Sequence, residues 1–93
     1  MNIRMNAGYI ITDSIHIGKA EFVLGVNEKA PSPYVTWECK DGSNYFWGHY
    51  CNTLFGAQKD LCDRATREIH ILEPEQPTAE DKTIKPKNKE RER

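Results

Sequence analysis

The 93 residues carry 13 Lys and Arg against 14 Asp and Glu, a formal net charge of -1, so no strong field draws the chain toward nucleic acid or an anionic membrane. No apolar run approaches the roughly 20 residues needed to cross a bilayer, and the opening MNIRMNAGYI lacks the apolar stretch of a secretory signal. Three cysteines, Cys39, Cys51 and Cys62, make no even disulfide set and show no C-x-x-C spacing, which points to a reducing cytoplasm and inert thiols.

Residues 1–7 show no periodic pattern and are read as a loose leader. From Tyr9 the chain alternates, with Tyr9, Ile11, Ile15 and Ile17 on one face. Asp13 breaks that row and marks a bulge or a sheet edge. Gly18-Lys19 is a two-residue turn with Gly first, as a type II′ hairpin requires. The return strand continues the apolar row through Ala20, Phe22, Leu24 and Val26, and pairing across the turn sets Ile17 against Ala20 and Ile15 against Phe22.

The segment 28–33, EKAPSP, is a connector whose prolines exclude a ladder. The central stretch, YVTWECKDGSNYFWGHYC (34–51), reads as a second hairpin turning at Asp41-Gly42-Ser43-Asn44; Asp-Gly supplies the positive φ that a tight turn needs. By parity one face collects Val35, Trp37, Cys39, Phe46, Gly48 and Tyr50, and the other Tyr34, Thr36, Glu38, Lys40, Tyr45, Trp47, His49 and Cys51. The first face lacks charge, so it is the expected core.

Asn52-Thr53 offers a helix N-cap, and from Leu54 the apolar period lengthens to about 3.6. Leu54, Ala57, Leu61, Ala65, Ile69 (or Glu68 beside it) and Leu72 make the stripe, and the helix ends near Glu73, before Pro74. Residues 74–93 hold one aliphatic side chain, Ile84, among prolines and charges, a composition that predicts a disordered charged tail. The expected fold is therefore α+β: a four-stranded antiparallel sheet of two successive hairpins, with one C-terminal helix packed on one face. The domain spans 8–73, after the 1–7 leader and before the 74–93 tail.

If the helix covers the charge-free face, the other face is open. Its rings and polar groups, Tyr34, Thr36, Glu38, Tyr45, Trp47 and His49, then form the expected partner-binding surface. Aromatic rows also stack single-stranded nucleic acid, but Glu38 opposes the nearby Lys40 and no basic surround is present. His16, Glu21, Glu38, His49 and Cys51 share that side by parity; none lies at a metal-ligand spacing. No catalytic, metal or cofactor site is expected. In the tail, KTIKPKNKERER, Lys and Arg alternate with Glu and give little net attraction for phosphate.

The segments GYIITDSIHIG, EFVLGV and YVTWECKDGSNYFWGHY, followed by a helix carrying DLCDRA, resemble a group of small uncharacterised bacterial proteins found in phage and conjugative-element neighbourhoods. The likeness covers about Met5 to Leu72. It carries no established activity and no functional residues. It implies an accessory protein of a mobile element, an inhibitor of host defence among the options, that acts by binding. The expected function is thus a small non-enzymatic cytoplasmic protein holding a protein partner or a second copy of itself; the alternative is a single-stranded nucleic-acid module.

Overall fold

The computed structural model describes residues 3–74; the predicted tail, from residue 75 on, lies outside the described residues. Five strands form one antiparallel meander in the order β1-β2-β3-β4-β5: β1 (Met5–Asn6), β2 (Tyr9–Ile17), β3 (Ala20–Val26), β4 (Tyr34–Lys40) and β5 (Asn44–Cys51). The helix α1 (Leu54–Leu72) follows. The α+β class, both hairpins and the C-terminal helix stand as read. The strand count does not, because the leader supplies β1: Met5 pairs with Ile10 and Asn6 with Tyr9 around Ala7-Gly8, both at positive φ. Ala7 gives no turn signal of its own, which hid this hairpin.

The first main hairpin has the register read from sequence, Ile17 against Ala20 and Ile15 against Phe22. Gly18 sits at φ +59. Asp13 marks a true bulge: the register shifts between Ile11 and Asp13. Tyr9 and Ile11 therefore lie on the opposite face from Ile15 and Ile17, and the single row read from sequence is split in two.

The helix covers the face opposite to the one expected. Phe22 and Leu24 pack against Ala57, Leu61 and Ala65, with Ile15, Ile17, Ala20, Val26, Tyr34 and Cys51 around them. The cross-strand pairs Phe22–Glu38, Leu24–Thr36 and Val26–Tyr34 carry this face into the one that holds Thr36 and His49. Charge content misled the sequence reading because the helix supplies its own polar partners to that face.

The face expected to be covered by the helix closes on itself instead. Tyr9, Val23, Val35, Trp37 and Cys39 form a second buried cluster, edged by Ile11, Ala30 and Tyr45. Tyr9 meets Trp37 edge-to-face at 5.7 Å, and its hydroxyl donates to the Ser32 carbonyl at 2.7 Å, tying the proline connector down. Strand β3 serves both clusters, which explains its run EFVLG. Each large apolar side chain buried this way stabilises by about 1.5–3 kcal/mol, and two clusters together support a domain this small.

The sheet curls, and a side chain from its first edge reaches across to β3 and β5. Arg4, just before β1, donates to the Tyr45 hydroxyl of β5 at 3.0 Å and to Glu21 of β3 through two nitrogens, at 2.7 and 3.2 Å. Ser14 adds a hydrogen bond to Glu21 at 2.5 Å. Chiefly the Arg4 bonds, helped by Ser14 and opposed by burial, hold the Glu21 carboxyl down at about 2.

Helix α1 crosses the sheet diagonally. It begins beside the end of β5, where the Thr53 hydroxyl caps it by accepting from the Gly56 N–H at 3.0 Å. It ends over the β2–β3 turn, where Leu72 lies so close that a Cβ on Gly18 would come within 2.7 Å of its methyl. Two corners of the sheet stay uncovered. One exposes Met5 and Ile10; the other, near the β4–β5 turn, exposes Trp47.

Candidate functional site

Where Trp37 pairs with β5, two residues, Trp47 and Gly48, stand against it: Thr36 is opposite His49 and Glu38 is opposite Phe46. Gly48 is required there, since a Cβ would lie 2.7 Å from the Trp37 indole nitrogen. Yet the left-handed residue of this bulge is Trp47, at φ +55, a conformation that costs a residue with a Cβ roughly 1–2 kcal/mol. Its indole is 71% exposed and meets the Phe46 ring edge-on at 4.9 Å.

The bulge is gripped from below by the helix. Arg64, only 6% exposed, donates through Nη2 to the Trp47 carbonyl and through Nε to Asp60 Oδ2 at 3.3 Å. Asp60 in turn accepts from the hydroxyl of the wholly buried Thr36. His49 Nδ1 lies 2.9 Å from Asp60 Oδ2 and 3.2 Å from Arg64 Nε. One nitrogen cannot donate to the first and accept from the second. The anionic carboxylate is the stronger partner, so Nδ1–H donates to Asp60 and Nε2 is left free. Burial works against the charged form of Asp60, but the hydrogen bonds from Thr36 and His49, with the charges of His49 and Arg64, hold its carboxyl below the usual value.

Of the six residues expected to share an open aromatic face, four are on one face, but it is the covered one. Tyr34 is half-buried in the helix cluster, Thr36 is inaccessible, Glu38 is half-buried and His49 is tied to Asp60. The bulge reverses the parity beyond it, so Tyr45 lies on the other side, against Trp37 at 5.7 Å and under the Arg4 guanidinium. Phe46, expected in the core with Trp37, moves to the helix side for the same reason. Trp47 is the large apolar member that keeps the exposed position expected of it; His49 is exposed too, though tied to Asp60. The second exposed member, Ile71 of α1, faces Trp47 across an open groove of about 270 Å³ that Glu38, His49, Arg67 and Glu68 also line.

Sequence spacing pairs Asp60 with Arg64, as the structure does at 3.3 Å, but it misses their place under the bulge. They occur as an i,i+4 pair on what reads as a solvated helix face, and only the diagonal crossing angle buries them. Asp63 pairs with Lys59 at 2.9 Å, not with Arg67, which stands at the same spacing on its other side.

The chemistry open to this cluster is limited. The Cys51 thiol contacts the His49 carbonyl at 3.7 Å, not the imidazole. Burial first, then the Asp60 charge, push its pKa up, the reverse of nucleophile activation. His16 and Glu21 lie on the far face from His49, so the five residues grouped by parity are not brought together. Among the described residues no three His, Cys, Asp or Glu side chains converge as metal ligands, and no helix is long and apolar enough to cross a membrane. What the site does hold is a fixed, outward-facing indole beside a shallow groove of mixed charge. No family model, curated protein or solved structure matches the chain.

Proposed function

We propose that the domain is a small non-enzymatic interaction protein whose anchor is Trp47, flanked by Phe46 and Ile71 and rimmed by Arg67 and Glu68. The observation that carries this is the pairing of exposure with constraint. A large ring in water gains nothing for the fold, yet this one sits on strained backbone clamped by a buried arginine. Binding hot spots are of this kind, with Trp the most enriched residue and charged neighbours at the rim. A rigid anchor also loses little conformational entropy on docking. The occupant is a protein surface with an apolar pocket. An accessory or inhibitory role in a mobile element, as the resemblance of the sequence implies, is consistent with action by binding alone.

The nucleic-acid alternative needs successive rings in one row. Tyr34 and Tyr45 fall on different faces and both are half-buried, which breaks the row of Tyr34, Tyr45 and Trp47. The protein-partner reading therefore stands ahead.

The test compares wild type with Trp47→Ala by sedimentation of the purified protein and by co-purification from host cells. Wild type is expected to dimerise or to retain one stoichiometric protein, and Trp47→Ala to lose that complex while its melting temperature moves by only a few degrees. Retention of every complex by Trp47→Ala overturns the proposal.

A further inference from the structure

We infer that Arg64 is the positioning residue of this surface: it holds Trp47 in the left-handed conformation and so sets the direction in which the indole faces. The inference rests on the reading of Trp47 as the anchor, but the geometry behind it stands on its own. Nothing local favours positive φ at position 47. Tryptophan is a strand former with a Cβ, and its neighbours Phe46 and Gly48 belong to the same strand. The bulge type that has a left-handed residue normally puts glycine in that place. Here glycine is the next residue along, at the point where Trp37 permits no side chain.

The missing driving force comes from the helix. The Trp47 carbonyl accepts from Arg64 Nη2, and a hydrogen bond from a charged, buried donor is strong enough to offset the strain of one left-handed residue. Arg64 cannot follow the carbonyl elsewhere, because its Nε is held by Asp60, which Thr36 and His49 fix from the sheet. Were Trp47 to relax to extended geometry, its carbonyl would turn away, leaving a buried guanidinium short of an acceptor. The clamp therefore couples one turn of α1 to one residue of an edge strand.

The experiment is nuclear magnetic resonance on the full chain, reading the HN–Hα coupling and Cα shift of Trp47 in wild type, Arg64→Met and Arg64→Lys. Wild type is expected to give the left-handed signature and Arg64→Met the extended one. Lysine keeps the charge but cannot reach Asp60 and the carbonyl together, so Arg64→Lys is expected to show both signatures in exchange. A folded Arg64→Met chain with Trp47 still left-handed overturns the inference. Should Arg64→Met not fold, Arg64→Lys decides, and an unchanged single left-handed signature there overturns it equally. No partner is needed, so this result is separate from the anchor reading. That reading falls only if Trp47→Ala keeps its complexes.

Discussion

At position 47 the backbone and the side chain make opposite demands, and substitutions can separate them. Alanine and glycine both remove the indole, but only alanine retains a Cβ at φ +55. In an ordinary strand glycine is the less stable of the two. Here Trp47→Gly is expected to be more stable than Trp47→Ala by about 1 kcal/mol, measured by urea denaturation. Equal stabilities, or alanine ahead, would mean that residue 47 carries no left-handed strain. Trp37 behaves as the converse tryptophan, sealed among Tyr9, Val35 and Cys39. Its removal to alanine is expected to cost about 3–5 kcal/mol, enough to unfold much of the population.

On the scale of strands and helix, the bulge in β5 is what brings Trp37, Gly48 and Trp47 into their places. Gly48→Ala would press a methyl onto the Trp37 ring within 3.1 Å of Cδ1 as well as onto its nitrogen, and Trp37 has no space to retreat. A loss of about 1–3 kcal/mol is expected, with Trp37 emission moving to longer wavelength as its packing loosens; unchanged stability and emission would show the bulge to be adaptable. The same two bulges explain what could be read in advance. Turn residues and local periodicity specify hairpins, so the pairs around Gly18-Lys19, the Asp-Gly turn, the Thr53 cap and the Ala57, Leu61 and Ala65 centre of the helix stripe were legible, while Leu54 and Ile69 of that stripe are exposed. Parity is a global count, however, and one inserted residue reverses every side chain beyond it. The bulges near Thr12 and at Trp47 each did so. The covered face was hidden for another reason: Thr36 and His49 look solvated until Asp60 and Arg64 arrive from the helix to satisfy them.

For the whole molecule, the Arg4 contacts tie the start of β1 to β3 and β5 across the curled sheet. Glu21 is charged and buried beneath them, with its folded pKa near 2 against an ordinary 4.5. A depressed carboxyl stabilises the fold above about pH 4.5 and surrenders that stability as pH falls toward 2. Urea midpoints of wild type are thus expected to drop between pH 6 and pH 3. Arg4→Met strands the Glu21 charge, at a cost of about 3 kcal/mol at pH 6, and should show a smaller further loss at pH 3. If both proteins lose stability in parallel with acid, the link does not govern the acid response.

The meander also orders events during synthesis. Each strand pairs with the one made just before it, so a growing chain emerging from a ribosome can zip the sheet in the sequence of its translation, with little loop entropy at each step. The bond from Arg4 to Tyr45 spans 41 residues and must wait for the last strand. Arg64 comes later still, and until it does the Trp47 carbonyl has no clamp. The surface proposed to meet a partner is in this sense the last part of the domain to be finished, so a nascent chain whose helix is still inside the exit tunnel would display its tryptophan without yet aiming it.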